Sequence, residues 1–230
     1  MASFIPYLAL AIFPIASIVP FNLFRFSWGY HHGLQKMPDD VRERAEKVDR
    51  FTWPFHKLLT IAPVILLMKH EGVSPRATGL HLDVWQLNAA LGICTGLMLV
   101  VIQGLLWRLM NRRMGSLDDA ECARGPASLW LLEFLFGAFS EELWLAFCLV
   151  GLRRTCHSIP LSILLTAIAF GLAHFPYGFG AFATASYGAL SGMLFLWRSS
   201  LLPSFLFHFV GNIGSLYWAR RGVAQLPLQR

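Results

Sequence analysis

Apolar blocks close to twenty residues long recur along this chain. Each is near the length that a helix needs to cross the hydrocarbon core of a bilayer, about 20 mostly apolar residues. Seven such blocks are legible, at 3–23, 53–69, 85–107, 127–150, 158–175, 181–198 and 200–218. The second is the weakest, because it contains His56, Lys57 and Pro63. None alternates apolar and polar residues at every second position, so an outer-membrane barrel is excluded. The expected fold is all-α, a polytopic transmembrane helix bundle of about seven spans.

Composition decides against the soluble alternative. The 230 residues are 56% apolar and 14% charged, where a soluble domain has roughly 45–50% apolar and about 25% charged residues. So little charge does not cover a water-facing surface, and it also excludes a disordered chain and a nucleic-acid binder. The formal net charge of +6 is read instead as basic residues held on one side of a membrane. With seven spans, and with Lys57 assigned to the same side, 14 of the 19 basic residues fall on the side of the loops 24–52, 108–126 and 176–180 and of the C-terminal tail. The positive-inside rule then places the N-terminus outside and the C-terminus in the cytoplasm. The block from Phe4 to Phe24 has no basic run before it and is longer than the roughly 7–15 residues of a signal-peptide core, so it is read as a retained first span. The polar stretch 38–50 reads as a short surface helix capped by Asp39 or Asp40. Cys94, Cys122, Cys148 and Cys156 form no C-x-x-C pair and read as small packing residues. The pairs Gly92/Gly96 and Gly188/Gly192 would let helices approach closely, within one bundle or between copies.

The chemistry lies in the later blocks. Glu141 and Glu142 sit side by side near the middle of the fourth. An ionised acidic residue at that depth costs about 2.5–3.5 kcal/mol on insertion scales, unless it meets a partner, water or a proton. Adjacent helical residues point about 100° apart, so the two carboxylates do different jobs. The fifth block ends in Phe170-Gly-Leu-Ala-His174, and the seventh holds His208-Phe-Val-Gly-Asn212. Each pair is spaced i, i+4 and shares a helix face. Carboxylate, imidazole and amide together suit peptide hydrolysis. A buried glutamate takes a proton from water, a histidine orients that water, and a second histidine with an asparagine donates to the oxyanion.

These three motifs, in this order on successive helices, resemble the CPBP family of CAAX-prenyl and bacteriocin-processing glutamic-type intramembrane endopeptidases. The resemblance covers residues 127–218. It implies an enzyme in which Glu141 activates water with His174, His208 and Asn212 form the oxyanion site, and Glu142 supports them. It implies no cofactor, and a peptide or protein substrate reached in or at the lipid bilayer of the bacterial inner (plasma) membrane. On this reading residues 1–126 are N-terminal membrane helices with a polar surface loop at 24–52, residues 127–218 are the catalytic membrane core, and 219–230 are a cytoplasmic tail. One departure stands out. The family's first motif is Glu-Glu-x-x-x-Arg, and here position 146 is Ala. An arginine there would lie one turn from Glu142 and neutralise it, so Glu142 needs another partner.

Three rivals remain at this stage. Two Glu and two His could ligate zinc, although no H-E-x-x-H is present. Ser191 and His208 could form a rhomboid-like Ser–His pair, which leaves Glu141, Glu142 and His174 unexplained. A transporter or a non-catalytic scaffold also buries polar residues, although no internal repeat is visible.

Overall fold

The computed structural model describes residues 40, 61–109, 127–174 and 180–223. The block 3–23, the surface helix at 38–50 apart from Asp40, the loop 108–126 apart from Arg108 and Leu109, Cys122, and the tail from 224 lie outside the described residues. Six helices follow in chain order: α1 (Ile61–His70), α2 (Trp85–Leu109), α3 (Ala127–Cys156), α4 (Ile159–Ala173), α5 (Gly180–Arg198) and α6 (Leu201–Val223).

Among the described residues the chain is an all-α bundle, and they do not show the expected count of about seven spans. Among the described residues two helices are long and apolar enough to cross a membrane, over Trp85–Leu106 and Leu131–Cys156. The difference has two causes. A run of apolar residues is not yet a helix of spanning length: α4 closes after 15 residues, roughly 22 Å of rise against a core near 30 Å. The other two, α5 and α6, are long enough, but small and polar residues dilute them. Ser186 and Ser191 lie on α5, and His208, Asn212, Arg220 and Arg221 on α6. The orientation drawn from basic residues assumed seven crossings and loses its basis with them.

The two candidate spans differ in their surroundings. Only 17% of the apolar window of α2 is buried, against 72% for α3. Leu87, Leu97, Met98, Val101 and Leu105 of α2 point outward, an apolar face that suits membrane association. Its other face lies along α6. A Cβ on Gly92 would stand 2.6 Å from the Pro203 carbonyl oxygen, and one on Gly96 2.7 Å from Val210 Cβ. The second glycine pair likewise meets Phe170 and Leu149, so both pairs serve contacts inside the bundle.

The core is organised around α3, which is apolar all round as a helix at the centre of a bundle must be. Leu143 to Leu149 are each at most 1% exposed. Val64 and Met68 of α1, Phe170 of α4 and Phe195 of α5 pack with them. Ser158 caps α4, accepting a hydrogen bond from the Leu161 N–H, and α4 folds back on α5 so that Gly171 meets Ala181 and Ala185. At the far end Arg198 Nε donates to Asn88 Oδ1 at 2.9 Å, and the Leu201 N–H to the Gly79 carbonyl at 3.0 Å. These bonds fix the α5–α6 turn against the start of α2. A glutamate in the middle of α3 is therefore largely enclosed by protein, and its partners come from α4, α5 and α6.

Candidate active site

Glu141, Glu142, His174 and His208 converge between α3, α4 and α6. Side-chain exposure falls from 23% at His174 through 12% at Glu141 to 6% at His208 and 1% at Glu142. The site therefore has an accessible end and a sealed end. The roughly 100° between adjacent helical residues sends Glu141 toward the first and Glu142 toward the second.

At the sealed end Glu142 has a partner for each oxygen. The Nδ1 of His208 lies 2.8 Å from Oε1, and the Ser191 hydroxyl on α5 donates to Oε2. A carboxylate removed from water needs this satisfaction, because an uncompensated buried charge costs several kcal/mol. Both partners of Glu142 come from across the bundle, one on α5 and one on α6. Ala146 is 1% exposed and packed in the core.

At the accessible end Glu141 Oε2 stands between two imidazoles. It is 3.7 Å from His208 Nε2 and 4.0 Å from His174 Nε2. In both rings the other nitrogen is engaged. His174 Nδ1 lies 2.8 Å from the Phe170 carbonyl oxygen, which can only accept, so that nitrogen carries its proton. His208 Nδ1 donates to the Glu142 carboxylate in the same way. Each neutral ring would then turn a bare Nε2 toward a carboxylate oxygen, acceptor against acceptor. A proton on the rings or on Glu141, or a water between them, resolves this.

The i, i+4 spacing of Phe170 and His174 gains a specific meaning here. The Phe170 backbone fixes the His174 tautomer. The Phe170 ring lies 4.7 Å from that imidazole and edge-on to His208 at 6.1 Å, holding both rings in place. Asn212 is one turn beyond His208 on α6 and half-buried. Among the described residues no hydrogen bond or ion pair joins it to the other four.

The sequence does not join Ser191 to Glu142, and Tyr187 carries no signal in it. By sequence Ser191 reads as a candidate nucleophile paired with His208. Its hydroxyl is committed to Glu142, and so is the Nδ1 of His208. That is not the arrangement of a serine nucleophile with its base, which needs the hydroxyl hydrogen on the imidazole. Among the described residues, no three His, Cys, Asp or Glu side chains are grouped to hold a metal ion.

Compared with known proteins, residues 123–214 match the family model described as Type II CAAX prenyl endopeptidase Rce1-like. A CAAX-type endopeptidase family domain thus covers part of the chain, from the start of α3 into α6, and takes in all five residues singled out by the motifs. The match is to the Rce1-like family and spans less than half of the 230 residues. No curated protein matches the chain, and no solved structure does.

Proposed function

We propose that this chain is a glutamate-dependent endopeptidase that hydrolyses a peptide bond in a peptide or protein tail delivered at the membrane. The observation that carries the reading is Glu141 Oε2, 3.7 and 4.0 Å from two imidazole nitrogens whose partner nitrogens are already engaged. Those separations are too long for direct hydrogen bonds, and a single water oxygen spans them. Such a water is held by His174 and Glu141 together.

In the proposed reaction Glu141 takes a proton from the water as its oxygen adds to the scissile carbonyl carbon. The C–O bond that forms places negative charge on the former carbonyl oxygen. His208 Nε2 and the Asn212 amide donate to it. His208 can donate from Nε2 only as an imidazolium, because the proton it already carries is on Nδ1, hydrogen-bonded to Glu142. Glu142 is then the counter-ion of that imidazolium, which gives it a role without an arginine at 146. When the C–N bond breaks, the proton on Glu141 passes to the leaving amine nitrogen. One water is consumed, and an acid and an amine are released.

The Rce1-like match and the outward apolar face of α2 support this choice of substrate class. The test is a fluorescent peptide ending in a farnesylated Cys-Val-Ile-Met tail, supplied to the full chain in proteoliposomes. The expected result is release of the residues beyond the modified cysteine, identified by mass. Failure of the parent protein to cleave this peptide under conditions where it is folded overturns the assignment.

A further inference from the structure

One buried polar group has no part in the reaction as described. Tyr187 lies on α5 one turn before Ser191, so the two share a face. Its ring stacks on Phe207 at 4.6 Å and meets the His208 ring at 4.9 Å, inclined by 69°. Its hydroxyl is buried and has no hydrogen-bond partner among the described residues. A Cβ on Gly211 would lie 3.3 Å from the hydroxyl oxygen. Glycine at that position leaves the oxygen its place against the α6 backbone, next to Asn212.

The contacts also give its level in the site. Ser191 and His208 meet at Glu142, whereas Tyr187 reaches on to Gly211. Moving from Ser191 to Tyr187 on α5 is therefore moving from His208 toward Asn212 on α6. It is also moving toward the end of α4 that carries His174, since Gly171 meets Ala181 and Ala185. The hydroxyl thus lies on the accessible side of the sealed Glu142–Ser191 pair. A buried hydroxyl left without a partner costs about 1–3 kcal/mol, and phenylalanine would make the same ring contacts without that cost. The oxygen needs a reason, and a ligand that brings an acceptor supplies one.

We propose that the Tyr187 hydroxyl is a further hydrogen-bond donor of the active site, which binds the carbonyl oxygen of the scissile peptide and holds it more tightly as it becomes the oxyanion. This rests on the reading under Proposed function. A phenol carries its proton at neutral pH. It donates here without giving the proton up, so no bond beyond those already described is made or broken. Tyr187 would approach the oxyanion from α5, and His208 and Asn212 from α6.

The experiment compares the parent, Tyr187→Phe and Glu141→Gln as full chains in proteoliposomes with the farnesylated peptide. It measures kcat and KM per folded enzyme, and the melting midpoint of each preparation. Tyr187→Phe should lower kcat about 10²-fold, as loss of one oxyanion donor does. KM should stay close to the parent's, and the melting midpoint should be equal or higher, because an unsatisfied hydroxyl has been removed. Placing 3-fluorotyrosine at 187, which keeps a donor in nearly the same volume, should restore most of the rate. If the parent cleaves, Glu141→Gln does not, and Tyr187→Phe cleaves at the parent rate, the inference falls while the proposed function stands. A lowered melting midpoint with unchanged kcat makes Tyr187 a packing residue and overturns it equally. If the parent itself leaves the peptide intact, the proposed function falls and this inference falls with it.

Discussion

Replacing Ser191 by alanine separates a structural donor from a nucleophile. The hydroxyl is fully buried and gives its proton to Oε2 of Glu142, whose side chain is 1% exposed. Alanine removes the donor and leaves a gap of one oxygen. A hydrogen bond to a charged group contributes about 1.5–3 kcal/mol, and the gap is too small for much relaxation to recover it. In a chain of this length each kcal/mol moves the melting midpoint by about 2–4 °C. The expected fall is therefore about 3–12 °C. The effect on the reaction should be smaller, because Glu142 keeps its bond to His208 Nδ1 and Glu141 is untouched. The folded variant should retain kcat within about tenfold, the worth of one supporting bond near 1.4 kcal/mol. The assay is thermal unfolding in detergent together with cleavage of the farnesylated peptide, normalised to folded protein. An unchanged melting midpoint with kcat down by 10³ or more would make Ser191 the nucleophile and refute this reasoning. No change in either quantity would mean that the Ser191–Glu142 bond contributes nothing.

Two further substitutions follow from the same geometry. Asn212→Ala should lower kcat with little change in KM, by roughly 2.7–4 kcal/mol of transition-state stabilisation if it acts as an oxyanion donor. Combined with His208→Ala it should cost less than the sum, since both serve one charge. Normal kcat with a lowered melting midpoint would leave Asn212 a helix-bridging residue. Ala146→Arg, which places a cation one turn from Glu142 on the same helix, should destabilise the protein rather than raise activity. Position 146 is packed in the core, and both oxygens of Glu142 are already bonded. A variant that melts at or above the parent and cleaves faster would show that the partners of Glu142 are a poor replacement for arginine.

The helices from α2 onward lie where apolar blocks are legible, because a block of the right length bounded by polar residues sets helix ends locally. The number of spans is not local. It depends on where a helix closes, as α4 does at Ala173, and on how far residues such as Ser191 and Asn212 dilute a block of sufficient length. The two i, i+4 pairs put polar groups on shared faces, and α4 and α6 bring His174 and His208 to the same Glu141 oxygen. The partners of Glu142 were not legible. Ser191 lies 49 residues away and His208 66, and within Gly188-x-x-Ser191-Gly192 a serine reads as a small residue for close packing. Tyr187 had no signal at all, since one aromatic residue on an apolar helix is ordinary. Its position beside Gly211 exists only after α5 and α6 have packed.

The central claim is that Glu141 is the base, and Glu141→Gln tests it most directly. Glutamine keeps the volume of the side chain and removes its ability to accept the water's proton. With the farnesylated peptide at saturation and rates taken per folded enzyme, kcat should fall at least about 10²-fold, with the melting midpoint unchanged or raised by removal of a buried charge. Cleavage by Glu141→Gln at the parent rate would contradict the account.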